Sequence, residues 1–403
     1  MTKPRSLYIH VPFCVRRCSY CDFAVEAIRE PPVAEWLDCV LAELDLTARD
    51  RDWHDALELD TLYVGGGTPS LLGTGAMASL LERTRPRARL GPGAEWTCEA
   101  NPESFGRELA ADWRAAGVNR LSLGVQTFDA GALRWMGRLH GPGGPARAVS
   151  AARTAGLDNV SIDLIFGLPS RLKRDWRADL ERAIALEPEH VSLYGLTAES
   201  GAPLGRWVSE GRETLADEDR YADEYLLAHE RLTAAGFEAY EVSNFALPGK
   251  RSKHNFVYWT GAPYAALGPG AHAYFPPLRR WNLGSWSAYR DALAAGRLPT
   301  DDQEVVDSDA TDLERIWLGL RTADGLSLDG LVRAQAEMVR SWTATGFAAA
   351  RDGMVRLTPS GWLLLDRMAM ELHEVGGGRL PTPQIDAEAA LVQIAGNSKG
   401  SGR

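Results

Sequence analysis

Three closely spaced cysteines constrain this chain more than any other feature. Cys14, Cys18 and Cys21 form a Cys-x3-Cys-x2-Cys pattern directly after a short apolar run. Thiolate sulfur is a soft ligand that selects zinc or iron–sulfur clusters over hard cations. A structural zinc site takes four protein ligands, and a cubane cluster ordinarily takes four cysteines. Three cysteines on a [4Fe–4S] cluster would leave one iron open to a reactant, and we predict such a site here.

Disulfides, a zinc site and a buried helical stripe are the alternatives to a cluster at these cysteines. Three neighbouring thiols cannot all pair as disulfides, and nothing before Leu7 resembles a secretion signal. A zinc site could take His10 as its fourth ligand, although the resulting spacing is not a common zinc pattern. A buried helical stripe fits the spacing, but Arg16 and its polar neighbours argue against a deep core. Cys39 and Cys98 stand alone, so we expect each to be a small buried hydrophobe.

Length and charge limit the class of protein. A chain of 403 residues exceeds the size at which one core stops growing, so two domains are expected. The composition, 45% hydrophobic and 24% charged, is that of a globular protein. A net charge of −10 argues against a nucleic-acid partner, whose binding face would be basic. Since no apolar run approaches the roughly 18 residues of a membrane span, we expect a soluble cytoplasmic protein.

Short apolar runs alternate with amphipathic helical patterns along the chain. Helices are predicted near 33–48, 74–84, 106–116, 129–137, 145–155, 173–186 and 217–235. Strands are predicted at Leu7–Val11, Thr61–Val64, Glu95–Glu99, Arg120–Val125, Asn159–Phe166, His190–Leu196 and Ala239–Ser243. Such alternation predicts an α/β fold with a parallel sheet covered by helices, and right-handed crossovers roll this sheet into a full or partial parallel (β/α) barrel.

Unusual residues follow the predicted strands at their carboxyl ends, where chemistry gathers in such folds. The cysteines follow the first strand and the run Gly65–Pro69 follows the second. Three consecutive glycines form either a tight turn or a backbone that approaches a ligand closely, and the neighbouring cysteines favour the ligand. The carboxylates of Glu99 and Asp163 lie at or within apolar strands, where each needs a ligand or a structural salt bridge as its partner.

Four sequence motifs together resemble the radical S-adenosylmethionine (SAM) superfamily. They are Tyr8-Ile-His-Val-Pro-Phe-Cys14, Gly65-Gly-Gly-Thr-Pro-Ser70, Arg120-Leu-Ser-Leu-Gly-Val-Gln-Thr-Phe128 and Ile162-Asp-Leu-Ile-Phe-Gly-Leu-Pro169. This wording is similar to the branch that contains oxygen-independent coproporphyrinogen III dehydrogenases and the haem chaperones of the HemW family. The resemblance extends from Leu7 to about Tyr274, and more loosely to Glu374.

This resemblance implies a cofactor set and the residues that hold it. In the superfamily, three thiolates bind a [4Fe–4S] cluster, and the amino and carboxylate groups of SAM chelate the fourth iron. Tyr8 and Tyr20 then flank the cluster. The methionine part of SAM lies against Gly66, Gly67 and Thr68. Positions that line one or two SAM sites in the family are matched by Glu99, Gln126, Arg138, Asp163 and Thr197.

Two motifs separate the members of this branch. The dehydrogenases typically carry a further cysteine two residues after the third, where this chain has Phe23, and a longer N-terminal arm. The chaperones carry a His-Asn-x-x-Tyr-Trp motif, present here at 254–259. Taken alone, His254 is either a haem ligand or a histidine satisfied by backbone, and the resemblance favours haem. His272 is a weaker candidate ligand, and Lys250, Arg251 and Lys253 either pair with haem propionates or form a solvated loop.

We therefore expect a haem chaperone that binds haem through His254 and transfers it to acceptor apoproteins, with the cluster and SAM needed for structure, dimerisation or transfer. An alternative is an oxygen-independent coproporphyrinogen III dehydrogenase, which decarboxylates its substrate by radical chemistry. A third hypothesis is an iron–sulfur electron carrier that does not bind SAM. The sequence leaves open whether the protein forms a homodimer, and we expect an electron donor such as flavodoxin or ferredoxin if radical chemistry occurs.

The chain changes in character towards its C-terminus. We place a radical SAM partial barrel at 1–245 and a connecting segment with the His254 motif at 246–300. Helical patterns at Thr311–Arg321 and Ser327–Thr345, an Asp-Gly hairpin, and a helix that is capped by Thr358 and runs through Leu372 predict a winged-helix-like α+β domain at 301–375. Its balanced charge favours packing or partner docking over DNA binding. The tail at 376–403 is predicted to be disordered.

Overall fold

The structure is a computed structural model that describes residues 3–378. Its strands, in chain order, are β1 (Ser6–Val11), β2 (Phe13–Cys14), β3 (Glu26–Ala27), β4 (Leu57–Gly66), β5 (Ala88–Ala100), β6 (Arg120–Gln126), β7 (Val160–Phe166), β8 (His190–Gly195), β9 (Glu238–Glu241), β10 (Asn244–Ala246), β11 (Ala265–Leu267), β12 (His272–Phe275), β13 (Leu278–Asn282), β14 (Thr300–Val305), β15 (Leu326–Ser327), β16 (Ala348–Arg351) and β17 (Met354–Leu357). Most of the predicted tail lies outside the described residues.

The helices cover the sheet and build the C-terminal region. They are α1 (Val33–Asp50), α2 (Ala76–Thr84), α3 (Arg107–Ala116), α4 (Ala130–Met136), α5 (Gly144–Thr154), α6 (Trp176–Ile184), α7 (Pro203–Ser209), α8 (Glu218–Ala234), α9 (Lys253–Trp259), α10 (Trp286–Ala294), α11 (Ser308–Arg321), α12 (Arg333–Ala344), α13 (Pro359–Trp362) and α14 (Leu365–Val375). Short 3-10 turns at Pro69–Leu72 and Ser170–Leu172 follow β4 and β7. Within the described chain, no helix is long and apolar enough to cross a membrane.

A nine-stranded sheet forms the centre of the fold, in the order β11-β1-β4-β5-β6-β7-β8-β10-β9. The pairs from β11 to β8 are all parallel. The strands β11 and β9 are the sheet's two edges, so the barrel is partial, as predicted. The strands β1, β6 and β7 are buried along nearly their whole length, because the sheet packs against side chains on both faces.

The last part of the sheet differs from the prediction. The predicted strand Ala239–Ser243 is shorter, ends at Glu241 and turns back into β10. Strand β10 pairs antiparallel with both β8 and β9. The two residues between β9 and β10 can join only an antiparallel pair, since a parallel pair needs a long crossover. The prediction also missed β11, which adds parallel to β1 at the other edge.

The C-terminal region has a three-stranded sheet, β15-β17-β16, with α11, α12 and α14 packed nearby. The Asp-Gly hairpin is present, with positive φ at Asp352 and Gly353. The predicted helix Ser327–Thr345 begins only at Arg333, because Ser327 pairs with β17. The helix capped by Thr358 is interrupted at Leu364, where φ is −114° and ψ is 13°.

The C-terminal region and the sheet share one continuous hydrophobic core. Backbone bonds join them: Val242 N–H donates to the carbonyl of Arg321, and Ala323 N–H donates to the carbonyl of Tyr240. The buried guanidinium of Arg321 also pairs with Glu241 at 2.7 Å. The C-terminal region therefore extends the antiparallel edge of the sheet and covers it.

Candidate functional site

The three cysteines lie on a loop at the carboxyl end of β1. Its two ends are held together, since Glu26 N–H donates to Pro12 O at 2.6 Å and Ile28 N–H donates to Cys14 O at 2.7 Å. The middle of the loop is fixed to α4 by Ser19 N–H, which donates to Met136 O at 3.1 Å. The cysteine loop is thus a braced segment at the mouth of the partial barrel.

The three thiols are free and half-buried, which suits a cluster at this mouth. Burial raises the pKa of Cys14 to about 11 and that of Cys21 to about 12, so both are neutral until a metal displaces the proton. Thr68 Oγ1 donates to Cys14 Sγ at 3.3 Å, and Arg138 Nη1 lies 3.9 Å from Cys18 Sγ. These donors stabilise sulfur that carries negative charge.

Among residues 3–378, no group of three or more His, Cys, Asp or Glu side chains converges on a single metal ion. A cubane asks for a different arrangement, because each cysteine binds its own iron. His10, the fourth ligand of the zinc hypothesis, already uses both ring nitrogens in protein contacts. The donor set therefore fits a cluster held by three thiolates. Cys39 and Cys98 are buried, as expected of small hydrophobes.

The glycine run after β4 is required by the close packing of this region. A Cβ on Gly67 would lie 2.6 Å from Phe13 O, and one on Gly65 would lie 2.7 Å from the Tyr63 ring. Gly66 has φ of +102°, which side chains rarely adopt. The turn thus packs directly against β1 and the start of the cysteine loop. Thr68, next in the chain, is buried and faces Cys14.

Glu99 lies beside this turn at the end of β5. Its carboxylate accepts from Tyr63 Oη at 2.7 Å and from Gly66 N–H at 2.8 Å. Burial, with the nearby charge of Asp163, raises its pKa to about 7 despite these two hydrogen bonds. Glu99 is therefore a carboxylate that gains charge near neutral pH and would be stabilised by a cation such as an ammonium group.

Arg138 and Gln126 lie in one polar group between the cysteine loop and β6. Arg138 Nη2 donates to Asn101 Oδ1 and to Gly124 O, each at 2.6 Å. Its buried Nε has no partner among the described residues. Gln126 has a backbone φ of +66°, which is uncommon for residues other than glycine and asparagine. Its amide lies beside Gly124, where an added Cβ would be 3.0 Å from Gln126 Nε2.

The remaining predicted SAM residues differ in their surroundings. Asp163 accepts from Ser122 Oγ at 3.2 Å, and burial raises its pKa to about 6. Tyr20 packs with a small apolar cluster around Met136 and Leu204. Tyr8 is buried and hydrogen-bonded to His10. Thr197 is exposed, and its hydroxyl donates to Glu199 at 3.0 Å, so the structure does not place it in the polar group around Arg138.

His254 lies on α9, and its side chain is turned into the protein with 1% exposure. Its Nδ1 is 2.7 Å from Thr61 Oγ1, and its Nε2 is 2.9 Å from Tyr258 Oη. Burial, together with the charge of Arg120, lowers its pKa to about 3, so the ring is neutral. The N-terminal end of α9 is held by Glu95, which accepts from His254 N–H at 3.1 Å. In this conformation both ring nitrogens are occupied.

Three of the other haem candidates, His272, Lys253 and Arg251, also contact protein groups. His272 is buried and stacks on Trp281 with ring centroids 5.6 Å apart. Lys253 Nζ donates to Gly93 O at 3.1 Å. Arg251 forms weak exposed ion pairs, at 3.5 Å, with Glu238 and Asp324.

The comparisons with known proteins fit this geometry. Residues 8–183 match the model of the radical SAM superfamily. Over 373 residues, the chain is 39% identical to the heme chaperone HemW of Mycobacterium tuberculosis (strain ATCC 25618 / H37Rv), covering 92% of this chain and 95% of the relative. The chain belongs to the HemW family. It is also 33% identical over 375 residues to HemW of Bacillus subtilis (strain 168), covering 89% of this chain and 97% of that relative.

The fold of this HemW family member is shared with a solved enzyme. The coproporphyrinogen III oxidase HemN from Escherichia coli, described as a radical SAM enzyme, superposes with a TM-score of 0.76 over 92% of this chain and 90% of that chain. The sequence identity is 20%, so this likeness shows the fold alone. It confirms the predicted partial barrel of radical SAM type.

Several residues of the site were missed by the sequence analysis. Asn101 accepts a hydrogen bond from Arg138, Tyr63 donates a hydrogen bond to Glu99, and Thr61 is hydrogen-bonded to His254. Tyr63 and Thr61 alternate along β4, and this period of two was a usable sign that both point to the barrel interior. Nothing in the local sequence marks the pairing of Glu95 with the start of α9, since 158 residues separate Glu95 from Lys253.

Proposed function

We propose that this protein binds haem and transfers it to acceptor apoproteins, and that it carries a [4Fe–4S] cluster and SAM. The observation that carries the proposal is the braced loop with three free thiols, joined to Phe23 where the dehydrogenases have a further cysteine. Similarity to heme chaperones over nearly the full chain supports it. When bound, the cluster supplies an iron with one open position for the amino and carboxylate groups of SAM.

The residues around the thiols have separate parts in this proposal. Cys14, Cys18 and Cys21 hold the cluster, and Arg138 offsets its negative charge near Cys18. Gly66, Gly67 and Thr68 form the wall against the methionine part of SAM, with Tyr8 and Tyr20 beside the cluster. The Glu99 carboxylate would accept a hydrogen bond from the iron-bound amino group of SAM, and Gln126, Asp163 and Thr197 line the remainder of one or two SAM sites.

We propose His254 as the haem ligand, and the structure defines what this role demands. Haem iron can reach Nε2 only after the hydrogen bond to Tyr258 is exchanged and α9 moves outward. The chain on both sides of α9 has positive-φ glycines with open space around them, at Gly249 and Gly261, and these are suitable hinges. The conformation with α9 packed inward is then the closed one.

Haem titration of the cluster-loaded protein tests this assignment. His254→Ala should lose the absorption band of the ligated haem and weaken binding at least about tenfold, because one axial ligand is removed. Tyr258→Phe frees Nε2 of a competing hydrogen bond and should bind haem at least as tightly as the wild type. His190→Ala is the matched control, since it removes another buried histidine with both ring nitrogens hydrogen-bonded, and this histidine is not a haem candidate. Equal spectra for His254→Ala and the wild type would remove His254 from this role.

Anaerobic assays separate this proposal from the alternatives. Formation of vinyl groups from coproporphyrinogen III, with reductant and SAM present, would favour the dehydrogenase. Failure to retain SAM in equilibrium dialysis would favour an electron carrier. Haem loss to an added apocytochrome, measured by difference spectra, is the result expected of a chaperone. Light scattering of the loaded protein tests the proposed homodimer, and reduction by flavodoxin or ferredoxin tests the proposed electron donor.

A further inference from the structure

His10 lies between the cysteine loop and the glycine turn, and its ring contacts both. Its side chain has 1% exposure. The ring Nε2 is 2.9 Å from the carbonyl oxygen of Ala24, and Nδ1 is 3.0 Å from Tyr8 Oη. A carbonyl oxygen can only accept, so Nε2 carries the proton and Nδ1 accepts the hydroxyl of Tyr8. Geometry thus selects one neutral tautomer.

The Ala24 carbonyl marks the far end of the cysteine loop. It stands three residues after Cys21, while His10 stands four residues before Cys14, so this hydrogen bond closes the loop across all three thiols. Two backbone bonds, from Glu26 and Ile28, also brace the base of the loop. The His10 bond differs from them because a side chain makes it and a substitution can remove it.

The glycine turn packs against the other side of the same ring. A Cβ on Gly66 would lie 2.3 Å from His10 Cε1 and 2.4 Å from Nδ1, so only glycine fits there. Gly66 N–H in turn donates to the Glu99 carboxylate at 2.8 Å. The position of the ring therefore sets how close the glycine turn and Glu99 approach the cysteine loop.

We propose that His10 is a positioning residue that holds the cysteine loop and the Gly66 turn at a fixed separation, so that the cluster and SAM meet in register. This proposal rests on the proposed function, because it concerns the same cluster and SAM sites. In this conformation both ring nitrogens of His10 are hydrogen-bonded within the protein, so the role that we assign to His10 is positioning and not ligation. Its backbone carbonyl accepts from Trp36 Nε1 at 3.2 Å, which fixes the residue against α1.

Two substitutions at His10 separate the hydrogen bond from the bulk of the ring. His10→Leu keeps an apolar side chain in the space but leaves the Ala24 carbonyl without a donor. His10→Gln restores an amide donor at about the position of Nε2. The matched control is His190→Leu, which removes an equally buried histidine with two hydrogen bonds, to Ser161 and Tyr240, at the opposite end of the sheet.

Three readouts are taken anaerobically on each reconstituted protein. They are the iron bound per chain, the rate at which the cluster absorption decays on exposure to air, and the electron paramagnetic resonance spectrum of the reduced cluster with and without SAM. In His10→Leu we expect about fivefold faster decay, as for the loss of one buried hydrogen bond, and a weakened spectral response to SAM. His10→Gln should stay within about twofold of the wild type, and His190→Leu should keep the wild-type spectrum.

Several outcomes would overturn the inference. One is His10→Leu with wild-type decay and response to SAM; another is equal damage from His190→Leu. Should His10→Leu fail to fold, nitrogen NMR of the wild-type imidazole decides. A proton on Nδ1 rather than Nε2 would rule out the hydrogen bond from His10 to the Ala24 carbonyl on which the proposal depends. A wild type that holds no iron would count against the proposed function instead, and so the two failures are distinguishable.

Discussion

At the scale of single residues, the site depends on buried groups whose charge the surrounding protein controls. Glu99 is such a group, since burial brings its pKa to about 7 while two hydrogen bonds favour its charged form. Its ordinary pKa is 4.5. Near neutral pH the carboxyl of Glu99 is divided between its protonated and charged forms. A cation or hydrogen-bond donor that binds beside it therefore shifts it strongly towards the charged form.

The binding of SAM should therefore depend on pH through Glu99. Below pH 7 the carboxyl of Glu99 is protonated and is a weaker hydrogen-bond acceptor for the amino group of SAM, so the affinity should rise as the pH increases from 6 to 8. Glu99→Gln should bind SAM about tenfold more weakly at pH 8, because a charged hydrogen bond is lost, and its affinity should depend less steeply on pH than that of the wild type. Equilibrium dialysis at three pH values measures this, with Glu103→Gln as an acidic control. A pH slope in Glu99→Gln as steep as that of the wild type would contradict the assignment.

At the scale of secondary-structure elements, helix α1 is tied to the connecting segment by one buried carboxylate. Glu43 accepts from Gly268 N–H at 2.8 Å, from Asn282 Nδ2 at 2.5 Å and from Tyr289 Oη at 2.6 Å. It is fully buried, and this burial raises its pKa to about 7. These contacts hold β11, β13 and α10 against the first helix of the barrel.

Removal of this carboxylate should destabilise the protein. We expect Glu43→Ala to lower the free energy of unfolding by about 3 kcal/mol, because three buried donors lose their acceptor. Urea unfolding at pH 7 measures the change. Glu35→Ala, in the exposed first turn of the same helix, is the control and should change stability by less than about 0.5 kcal/mol.

Glu43 should also make stability depend on pH in a defined direction. Its folded pKa, about 7, lies above the 4.5 of the unfolded chain, so the unfolded state releases its proton first. The contribution of Glu43 to stability should therefore decrease as the pH rises from about 4.5 to 7 and stay level above that. Glu43→Gln cannot ionise, so the stability difference between it and the wild type should shift in favour of the variant over this range. A constant difference between pH 4.5 and 7 would contradict this interpretation.

At the scale of the whole molecule, the sheet and the C-terminal region should unfold together. Arg321 pairs with Glu241 and lies 4.0 Å above the ring of Trp259 at the end of α9. Replacement of this buried cation by alanine leaves Glu241 without its partner, and we expect a loss of about 3 kcal/mol or more. Arg251→Ala removes exposed ion pairs and should cost less than about 1 kcal/mol. Two separate transitions in calorimetry of the wild type would refute a shared core.

The sequence predicted the parallel strands well because their signals are local. Strand β6, for example, follows Asn119, and its apolar residues at 121, 123 and 125 are separated only by the small residues Ser122 and Gly124. The first half of β5 was missed because Gly91-Pro-Gly93 imitates a turn, although this segment continues the strand. Three-residue strands such as β11 are too short to show any period.

The predicted site residues largely converge, but their partners could not be read from the sequence. Cys18 and Arg138 are 120 positions apart, and Thr61 and His254 are 193 apart. Such pairs depend on the register of the whole sheet, which no local pattern encodes. The same limit explains why the sequence presented His254 as an available ligand, whereas the folded chain gives both of its nitrogens a partner.

The way residues 321–323 cap the outermost strand bears on how shortened chains would behave. A fragment that stops at residue 300 would lack these residues, and the polar backbone of β9 would face water along one flank. Uncovered strand flanks recruit other chains. Such a fragment should self-associate even if its cysteines and glycines are intact. A failure to reconstitute the cluster in it would therefore reflect aggregation and not the loss of cluster ligands.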